Sequence, residues 1–473
     1  MSVVRDNMAP LMFGGMILFM LIGYPAAFSL AATGLFFGFI GIELGLITPD
    51  FLGNLTYQLF GVISNDLLLA IPFFTFMGAI LERCGLAEDL LDSIGQLFGP
   101  VRGGMSYAVI FVGAILGAIT GTVAASVIAM GVISMTPMLK YGYSTRHTMG
   151  VIAASGTITQ LVPPSLVLVV LADVLGRSVG DMYAGSIGPS LIQIALFCMW
   201  VAIVSIIWPK SVPALPLEAR TLHGWALWKK CLRGMIPSLG LIFLVLGTIF
   251  MGLATPSEAG AMGVVGAIAL AGSYGTLTWR LLYQGMATTM RLTAMVVFIL
   301  IGARVFSLVF QGVGGKEWIE HLLTGLPGGQ LGFLIFVNAF IFVVAFFLDF
   351  FEIAFIIIPL LAPVAEKLGI DLIWFGVLIC ANIQTSFMHP PFGFALFYLR
   401  GIAPPSIKTS EIYWGAIPWV FLQLILVVIV IFWPRSVTYW LDKGTGVDPS
   451  KIRIEIPLPE LPSPIDLPPP RIQ

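Results

Sequence analysis

Residues 117–125 read GAITGTVAA and residues 155–165 read SGTITQLVPPS, and this stretch of the chain decides the fold. It is apolar enough to lie in a bilayer, yet glycines, hydroxylated residues and a Pro-Pro pair interrupt it. A helix break at membrane depth frees backbone N–H and C=O groups that lipid cannot satisfy. Such a break persists only where protein buries it or where it lines a cavity. We therefore predict functional helix breaks here.

Two comparable interruptions occur in the second half of the chain. Residues 347–352 read FLDFFE within one apolar stretch, and residues 382–393 read NIQTSFMHPPFG within the next. Free helix N-termini attract anions, whereas unwound carbonyls and hydroxyls coordinate hard cations such as sodium. Breaks of this kind in both halves indicate the binding site of a secondary transporter.

The composition is that of a polytopic membrane protein. Hydrophobic residues make up 58% of the chain and charged residues only 10%, and the mean hydropathy is +1.00. A soluble protein with so few charges would be hard to keep in solution. The formal net charge of -1 argues against a nucleic-acid partner, because no basic surface is available to replace phosphate counterions.

Apolar stretches and their interruptions predict the order of the elements. In the first half we expect spans at 8–23 and 26–42, a long helix at 54–82, an amphipathic interfacial segment at 83–99, a re-entrant hairpin at 105–139, a broken helix at 147–175 and a span at 186–208. In the second half we expect spans at 234–253, 257–278 and 283–311, a second hairpin at 330–364, a broken helix at 371–400 and a span at 411–434.

The two halves repeat, since Pro390-Pro391 follows Pro163-Pro164 by 227 residues. Each half has an odd number of full crossings, so the second should run inverted relative to the first. We predict an all-α polytopic membrane protein of two inverted-topology repeats, residues 1–208 and 234–434, each with a re-entrant helical hairpin and a broken helix.

The distribution of charge predicts the orientation of these repeats. The linker at 209–233 carries a net charge of +4, which places it in the cytoplasm by the positive-inside rule. Both termini then lie on the external side. The Pro-rich tail at 435–473 has balanced charges, and we expect it to be extended or disordered there.

The ordered motifs resemble the large membrane subunit of TRAP transporters, the tripartite ATP-independent periplasmic systems. The resemblance covers roughly residues 10–434. Its motifs are Thr120-Gly121-Thr122, Gly131, Pro137-Met138, Gly142-Tyr143, Ser155-Gly156-Thr157 and Pro163-Pro164-Ser165 in the first repeat, and Ala254 to Ala259 and Pro390 to Gly393 in the second.

This resemblance implies a multi-pass permease of the bacterial inner membrane, so the termini that the charge distribution places outside would lie in the periplasm. Together with a small four-helix membrane subunit and a periplasmic substrate-binding protein, it would take up organic acid anions with sodium. The architecture of related ion transporters implies an elevator, in which hairpins and broken helices move as a transport domain against a scaffold built from the other helices.

The resemblance also implies two sodium sites, one in each repeat. The first would join the first hairpin tip to the first broken helix, at Thr120, Gly121, Thr122, Ser155, Gly156 and Thr157. The second would join the second hairpin tip to the second break, at Asp349, Asn382, Thr385 and Ser386. Hydroxyls and freed carbonyls at helix breaks can supply the oxygen ligands that sodium prefers. The same hydroxyls could instead bond only to their own helix.

A further set of residues is assigned to substrate binding or gating: Pro163, Pro164, Ser165, Arg304, His389, Pro390, Pro391 and Gly393. Asp349 could hold a cation, cap its hairpin or pair with Arg304, and Arg304 could instead bind a substrate carboxylate bidentately. His389 stands where the family commonly has Thr. It could couple protons or act only as a hydrogen-bond donor.

Two other functions would account for parts of this pattern. A stand-alone sodium/carboxylate symporter of similar build would need no binding protein. A membrane enzyme could also gather Ser, His and Asp at helix breaks, but the chain has neither Gly-x-Ser-x-Gly nor His-Glu-x-x-His. We therefore predict a transporter, with no catalytic residues.

Overall fold

The computed structural model describes residues 2–120, 123–391 and 393–441, and all regular structure in those ranges is helical. By length and composition, six of these helices could cross a membrane, or eight if each of two bent pairs is one span. The helices of the first half are α1 (Met8–Leu21), α2 (Ala26–Glu43), α3 (Asn54–Ile63), α4 (Ala70–Arg83), α5 (Leu86–Leu97), α6 (Gly104–Thr120), α7 (Val123–Lys140), α8 (Thr145–Thr157), α9 (Leu166–Val174) and α10 (Val179–Ile207).

The second half repeats the order of elements. Its helices are α11 (Gly224–Phe250), α12 (Pro256–Ser273), α13 (Trp279–Gly312), α14 (Gly315–Thr324), α15 (Gly329–Val344), α16 (Ile358–Lys367), α17 (Leu372–Ser386), α18 (Phe394–Ile402) and α19 (Thr409–Phe432). Helices α6 and α7 occupy the first expected hairpin, and α15 and α16 occupy the second. The helix pairs α8–α9 and α17–α18 occupy the two expected broken helices.

The expected long helix at 54–82 is wrong, because it is two helical segments bent by 47°. Asn65 lies at the bend. Its side-chain oxygen accepts the Leu67 N–H at 2.9 Å, and its amide donates to the Asp173 carboxylate at 3.0 Å. A side chain that bonds the local backbone offers it an alternative to continuing the helix. The break therefore occurs at Asn65.

The linker expected at 209–233 is shorter in the structure, because α11 already begins at Gly224. The first turns of α11 pack on α5: Lys230 pairs with Asp92, and the Cys231 thiol donates to the Ser93 carbonyl at 3.4 Å. Helix α14 was not expected at all; it follows α13 as α5 follows α4. Tertiary contacts thus give helical structure to segments whose composition resembles a linker.

The linker crosses the base of the first hairpin. Its Val212 carbonyl accepts from Gly103 N–H at 3.0 Å, and its Ser211 carbonyl accepts from Ser144 N–H at 2.9 Å. Gly103 precedes α6 and Ser144 follows α7, so the linker holds the two ends of the hairpin together.

The helices form two groups by their contacts. In one group α13 packs on α2 and α4, and α12 packs on α4 and α11. In the other, the hairpins pack on the broken helices, α19 packs on α8, and α10 packs on α17. Helices α10 and α19 contact the broken helices, and the two groups meet where α4 packs on α6.

Close backbone contact explains two glycines at the crossing of α8 and α19. A Cβ at Gly150 would lie 2.1 Å from the Gly415 carbonyl oxygen, and a Cβ at Gly415 would lie 2.2 Å from the Arg146 carbonyl oxygen. Small residues allow helix backbones to approach closely inside a membrane. This crossing joins a span of the second half to the broken helix of the first.

Candidate functional site

The first helix break lies between α8 and α9 and is closed by buried hydrogen bonds. Ser165 caps α9: its hydroxyl accepts from Val167 N–H at 3.2 Å and donates to the Gln160 carbonyl at 2.6 Å. Ser190, from α10, donates to the Leu161 carbonyl at 3.0 Å. The side chains of Ser165 and Ser190 therefore satisfy backbone groups that the interrupted helix leaves free.

The expected sodium ligands on α8 are buried and bonded within their own helix. The Ser155 and Thr157 hydroxyls each donate at 2.9 Å to the carbonyl three residues earlier. Thr157 also accepts from the Gln423 amide at 2.9 Å. Gly156 packs against α7, since a Cβ there would lie 2.3 Å from a Val127 methyl. The hydroxyl protons are thus in use, while oxygen lone pairs remain.

The second break lies between α17 and α18. The Thr385 hydroxyl donates to the Asn382 carbonyl at 2.6 Å, and the Asn382 amide donates to the Asn338 carbonyl of α15 at 2.8 Å. The broken helix of the second half is therefore tied to one arm of its own hairpin. Within the described ranges, the buried Ser386 hydroxyl has no hydrogen-bond partner.

His389 lies in the second break between aromatic rings of the second hairpin. Its ring stacks on Phe346 with centroids 3.5 Å apart and meets the edge of Phe342 at 4.7 Å. Neither ring nitrogen has a hydrogen-bond partner among the described residues. Of the two roles expected for His389, the hydrogen-bond donor is therefore not observed in the part of the chain that the structure describes.

The Pro-Pro pairs lie inside the two breaks. Pro163 and Pro164 are buried between α8 and α9, whereas Pro391, between α17 and α18, is exposed. Gly393 stands immediately before α18 and offers no capping side chain. The two breaks therefore share their prolines but differ in how the following helix begins.

The two hairpin tips are described to different extents. At the first tip, Gly121 and Thr122 lie outside the described residues, and of Thr120 only the backbone at the end of α6 is described. At the second tip, Asp349 precedes the helical turn Phe350–Glu352, which continues through a π-helical segment, Ile353–Ile357, into α16. The Asp349 N–H donates to the Glu352 carboxylate at 3.0 Å.

A cavity of about 420 Å³ lies where both hairpins, both helix breaks and helix α13 meet. Residues from each of these parts line it, among them Val123, Gln160, Met295, Asp349, Glu352 and Phe394. Two are carboxylates, and no Lys, Arg or His of the described chain lines the cavity. The described residues also contain no group of three or more His, Cys, Asp or Glu side chains that could hold a metal ion. The cavity thus brings both halves of the chain to one place.

The cavity, the paired breaks and the all-helical fold agree with one transporter family. The family model for the tripartite ATP-independent periplasmic transporter, DctM component, matches residues 13–436. The chain belongs to this family. This confirms the resemblance to the large permease subunit of a TRAP transporter and the all-α polytopic fold.

Individual relatives of this TRAP permease cover most of its length. The C4-dicarboxylate TRAP transporter large permease protein DctM of Pseudomonas aeruginosa is 30% identical over 399 residues, 82% of this chain and 89% of that protein. The ectoine/5-hydroxyectoine TRAP transporter large permease protein UehC of Ruegeria pomeroyi is 27% identical over 437 residues, 92% of this chain and 99% of that protein. These relatives are transport permeases and not enzymes.

Among solved structures, this TRAP permease resembles the YdaH transporter of Alcanivorax borkumensis, which was reported to have an unusual topology. The TM-score is 0.58 at 15% identity, and the match covers 80% of this chain and 87% of that one. At this identity the likeness concerns the fold alone.

The structure separates one expected residue of the permease from the cavity. Arg304 is exposed on α13, does not line the cavity and makes no ion pair within the described residues. The expected pairing of Asp349 with Arg304 is therefore not found there. Asp349 instead forms a capping box with Glu352 at the start of the helical segment that leads into α16, beside the cavity.

The sequence reasoning missed two buried glutamines of the permease. Gln193 on α10 donates to the Gln384 amide oxygen of α17 at 2.6 Å, and Gln423 on α19 donates to Thr157 of α8 at 2.9 Å. Each donor is the fifteenth residue of its helix, so matching positions in the two halves could have revealed them. Each pair crosses from one half of the chain to the broken helix of the other.

Proposed function

We propose that this permease is the large subunit of a binding-protein-dependent symporter that imports organic acid anions with sodium by an elevator mechanism. Its partners are a small four-helix membrane subunit and a periplasmic substrate-binding protein. It lies in the bacterial inner membrane with both termini in the periplasm. One observation carries the proposal: a single cavity is shared by both helix breaks, the second hairpin tip and a scaffold helix.

The arrangement of helix ends supports anion binding. The first residues of α9 and α18, Leu166 and Phe394, both line the cavity. Helix N-termini carry partial positive charge and unsatisfied N–H groups, which bind carboxylates. Helix α18 lacks a side-chain cap, so its N-terminus is the better anion site of the two. Relatives are named for C4-dicarboxylates and for ectoines, so we state only the substrate class.

The contact pattern supports an elevator. Hairpins, broken helices, α10 and α19 pack with one another, and α2, α4, α11, α12 and α13 pack with one another. The cavity lies between these two groups, because Met295 and Ile299 of α13 face the second hairpin tip across it. Movement of one group against the other would carry a ligand in this cavity across the membrane.

The experiment is uptake of labelled carboxylates into proteoliposomes that hold this chain and its small partner. The sodium gradient and the cognate binding protein are each supplied or omitted. Uptake that requires both supports the tripartite symporter. Sodium-driven uptake without the binding protein would identify a stand-alone symporter, and uptake indifferent to sodium would contradict the coupling.

The first sodium site has a separate test. The double variant Thr120→Val, Thr122→Val removes two hydroxyls and keeps the side-chain shape, so we expect weaker sodium activation with unchanged docking of the binding protein. Thr324→Val, at the exposed end of α14, is the matched control. Wild-type sodium activation in the double variant would contradict the site.

A further inference from the structure

One pair of polar side chains joins the two groups of helices directly. Asn65, at the bend between α3 and α4, donates from its amide to both carboxylate oxygens of Asp173, at 3.0 Å and 3.1 Å. Asp173 lies in the last turn of α9, the second part of the first broken helix. Helix α4 packs with α12 and α13, whereas α9 belongs with the hairpins and broken helices. The bond therefore crosses from one group to the other.

The orientation of the Asn65 amide is fixed by its second partner. Its oxygen accepts the Leu67 N–H at 2.9 Å and caps the 3₁₀ turn Asp66–Leu69. Because a backbone donor uses the oxygen, the NH₂ group is the part of the amide that remains for Asp173. The reversed amide would place its oxygen against a carboxylate and its NH₂ against an N–H, so both contacts would be repulsive. The hydrogen-bond network therefore admits one orientation.

The carboxylate of Asp173 does not stabilise its own helix. A negative charge in the last turn of a helix opposes the macrodipole, which favours Lys, Arg or His there. Asp173 makes no ion pair within the described ranges, and Arg177, the nearest cation along the chain, pairs with Glu366 instead. Both Asn65 and Asp173 are partly buried, so water cannot fully solvate the charge. The contact with Asn65 is therefore what stabilises this carboxylate.

We propose that Asn65 and Asp173 form a latch that stabilises the observed arrangement of the two groups of helices. The inference rests on the proposed elevator and names two positioning residues that set the relative stability of one of its conformations. A hydrogen bond to a charged group favours the conformation that contains it, and this bond is lost when α9 moves past α4. Neither residue lines the central cavity, so the latch acts on movement and not on substrate binding.

A cross-link between the two groups can report the population of the observed conformation. A Cβ at Gly180 of α10 would lie 3.6 Å from Cγ2 of Ile249 on α11. Since Cγ2 is bonded to the Ile249 Cβ, cysteines at these positions would have their Cβ atoms about as far apart as a disulfide requires. Helix α10 packs with the broken helices, and α11 packs with α12. The rate of disulfide formation in the parent protein Gly180→Cys, Ile249→Cys therefore follows this conformation.

The experiment compares cross-linking rates in proteoliposomes that hold the full-length chain and its small partner. Disulfide-linked peptides are measured by mass spectrometry. Asn65→Asp keeps an oxygen that can cap the turn but replaces the donor with a second negative charge. We expect the initial rate to fall by roughly twofold or more, because loss of a hydrogen bond to a charged group shifts a two-state equilibrium about tenfold.

Two further variants separate the latch from the bend. The double variant Asn65→Asp, Asp173→Asn exchanges the two side chains, places one donor opposite one carboxylate again and should recover the parent rate. Ser64→Ala is the matched control. It removes a hydroxyl at the same bend that donates to the Phe60 carbonyl at 2.7 Å, and it should cross-link at the parent rate.

The outcomes distinguish the latch from the proposed function. Equal rates in the parent protein and Asn65→Asp would overturn the latch while leaving the elevator intact. An exchange that fails to restore the rate would also overturn it, since the effect would then come from the added charge and not from the pair. The elevator has its own readout: the cross-linked protein should lose uptake and regain it on reduction. Full uptake by the cross-linked protein would overturn the elevator.

Discussion

The two helix breaks occupy matching places in the halves of the chain, but different side chains complete them. At the first break Ser165 caps the following helix, and Ser190 reaches in from α10 to bond the backbone. At the second break Gly393 offers no cap, and the polar atoms of Ser386 and His389 lack partners within the described residues. The first break is closed by the protein itself.

This difference between the two breaks implies that they have different roles. Buried polar groups are normally satisfied, so unsatisfied ones mark places where a ligand or a rearrangement supplies the missing bond. The first break contributes a rigid wall and one free oxygen, that of Gln160, to the cavity. The second contributes an uncapped helix end. We expect substitutions at the first break to change stability, and substitutions at the second to change transport as well.

The largest effect is expected from Gly393→Ala at the second break. A Cβ there would lie 2.7 Å from the Phe387 carbonyl oxygen, which is backbone and cannot rotate away. Overpacking of this kind costs about 1–3 kcal/mol. We expect a clear fall in melting temperature and loss of uptake. Gly401→Ala on the same helix, where a Cβ meets nothing within 4 Å, is the control and should retain both.

Ser165→Ala should be next in size and should act mainly on stability. It removes the cap of α9 and the buried bond to the Gln160 carbonyl, at an expected cost of about 1–2 kcal/mol. Thermal unfolding in detergent measures the loss. Ser178→Ala removes an exposed cap of α10 and should cost less. A Ser165→Ala protein with normal stability but no transport would reverse our comparison of the breaks.

A smaller effect is expected at the glutamines that cross between the halves. Double-mutant cycles on Gln423 with Thr157, and on Gln193 with Gln384, should each give a favourable coupling of about 0.6 kcal/mol, the average for such bonds in membranes. Similar couplings would show that helices outside the breaks stabilise both broken helices equally, so that the two breaks differ only in the bonds made inside them. Zero coupling in one cycle would show that the two breaks also differ in how strongly α10 and α19 bind the broken helices.

A comparably small effect is expected away from both breaks, at Asp92. Partial burial would raise the pKa of Asp92, but hydrogen bonds from Lys230 and Gln96 outweigh it and hold that pKa below its ordinary value. The pair therefore adds stability above the unfolded-state pKa of Asp92 and loses it as the pH falls through the folded-state value. Because Asp92 is half exposed, Asp92→Asn should cost only about 0.2–1 kcal/mol at neutral pH. Unfolding curves at neutral and acidic pH check this, and a loss as large as that of Ser165→Ala would contradict it.

Local chemistry explains why so much could be predicted from the sequence. Pro-Pro pairs, glycines and hydroxylated residues interrupt helices wherever they occur, so the breaks and hairpins follow from nearby residues. The bend at Asn65 was missed, because it also depends on Asp173, a residue far along the chain. Helix α14 was missed because its segment is short and only partly apolar.

The candidate site was less predictable than the fold. Residues at the breaks were expected, but Glu352 and Gln160 were not, since their significance lies in a cavity between distant segments. Arg304 looked suited to bind a carboxylate or pair with Asp349, yet it is exposed away from the cavity. A sequence reveals which residue types are present, whereas partners depend on how the helices pack.

The sequence by itself determined that this protein is a polytopic helical permease of the TRAP family with interrupted helices in both halves of the chain. Apolar stretches and helix-breaking residues affect only a few helical turns around them, so they can be recognised from the sequence without knowledge of the tertiary structure. Only the tertiary structure decided that one break is closed and the other is left open, and that both line one cavity with the second hairpin tip. The closed break depends on Ser190 reaching the Leu161 carbonyl, 29 residues away, and the cavity joins residues as far apart as Val123 and Tyr398, so both depend on packing in three dimensions.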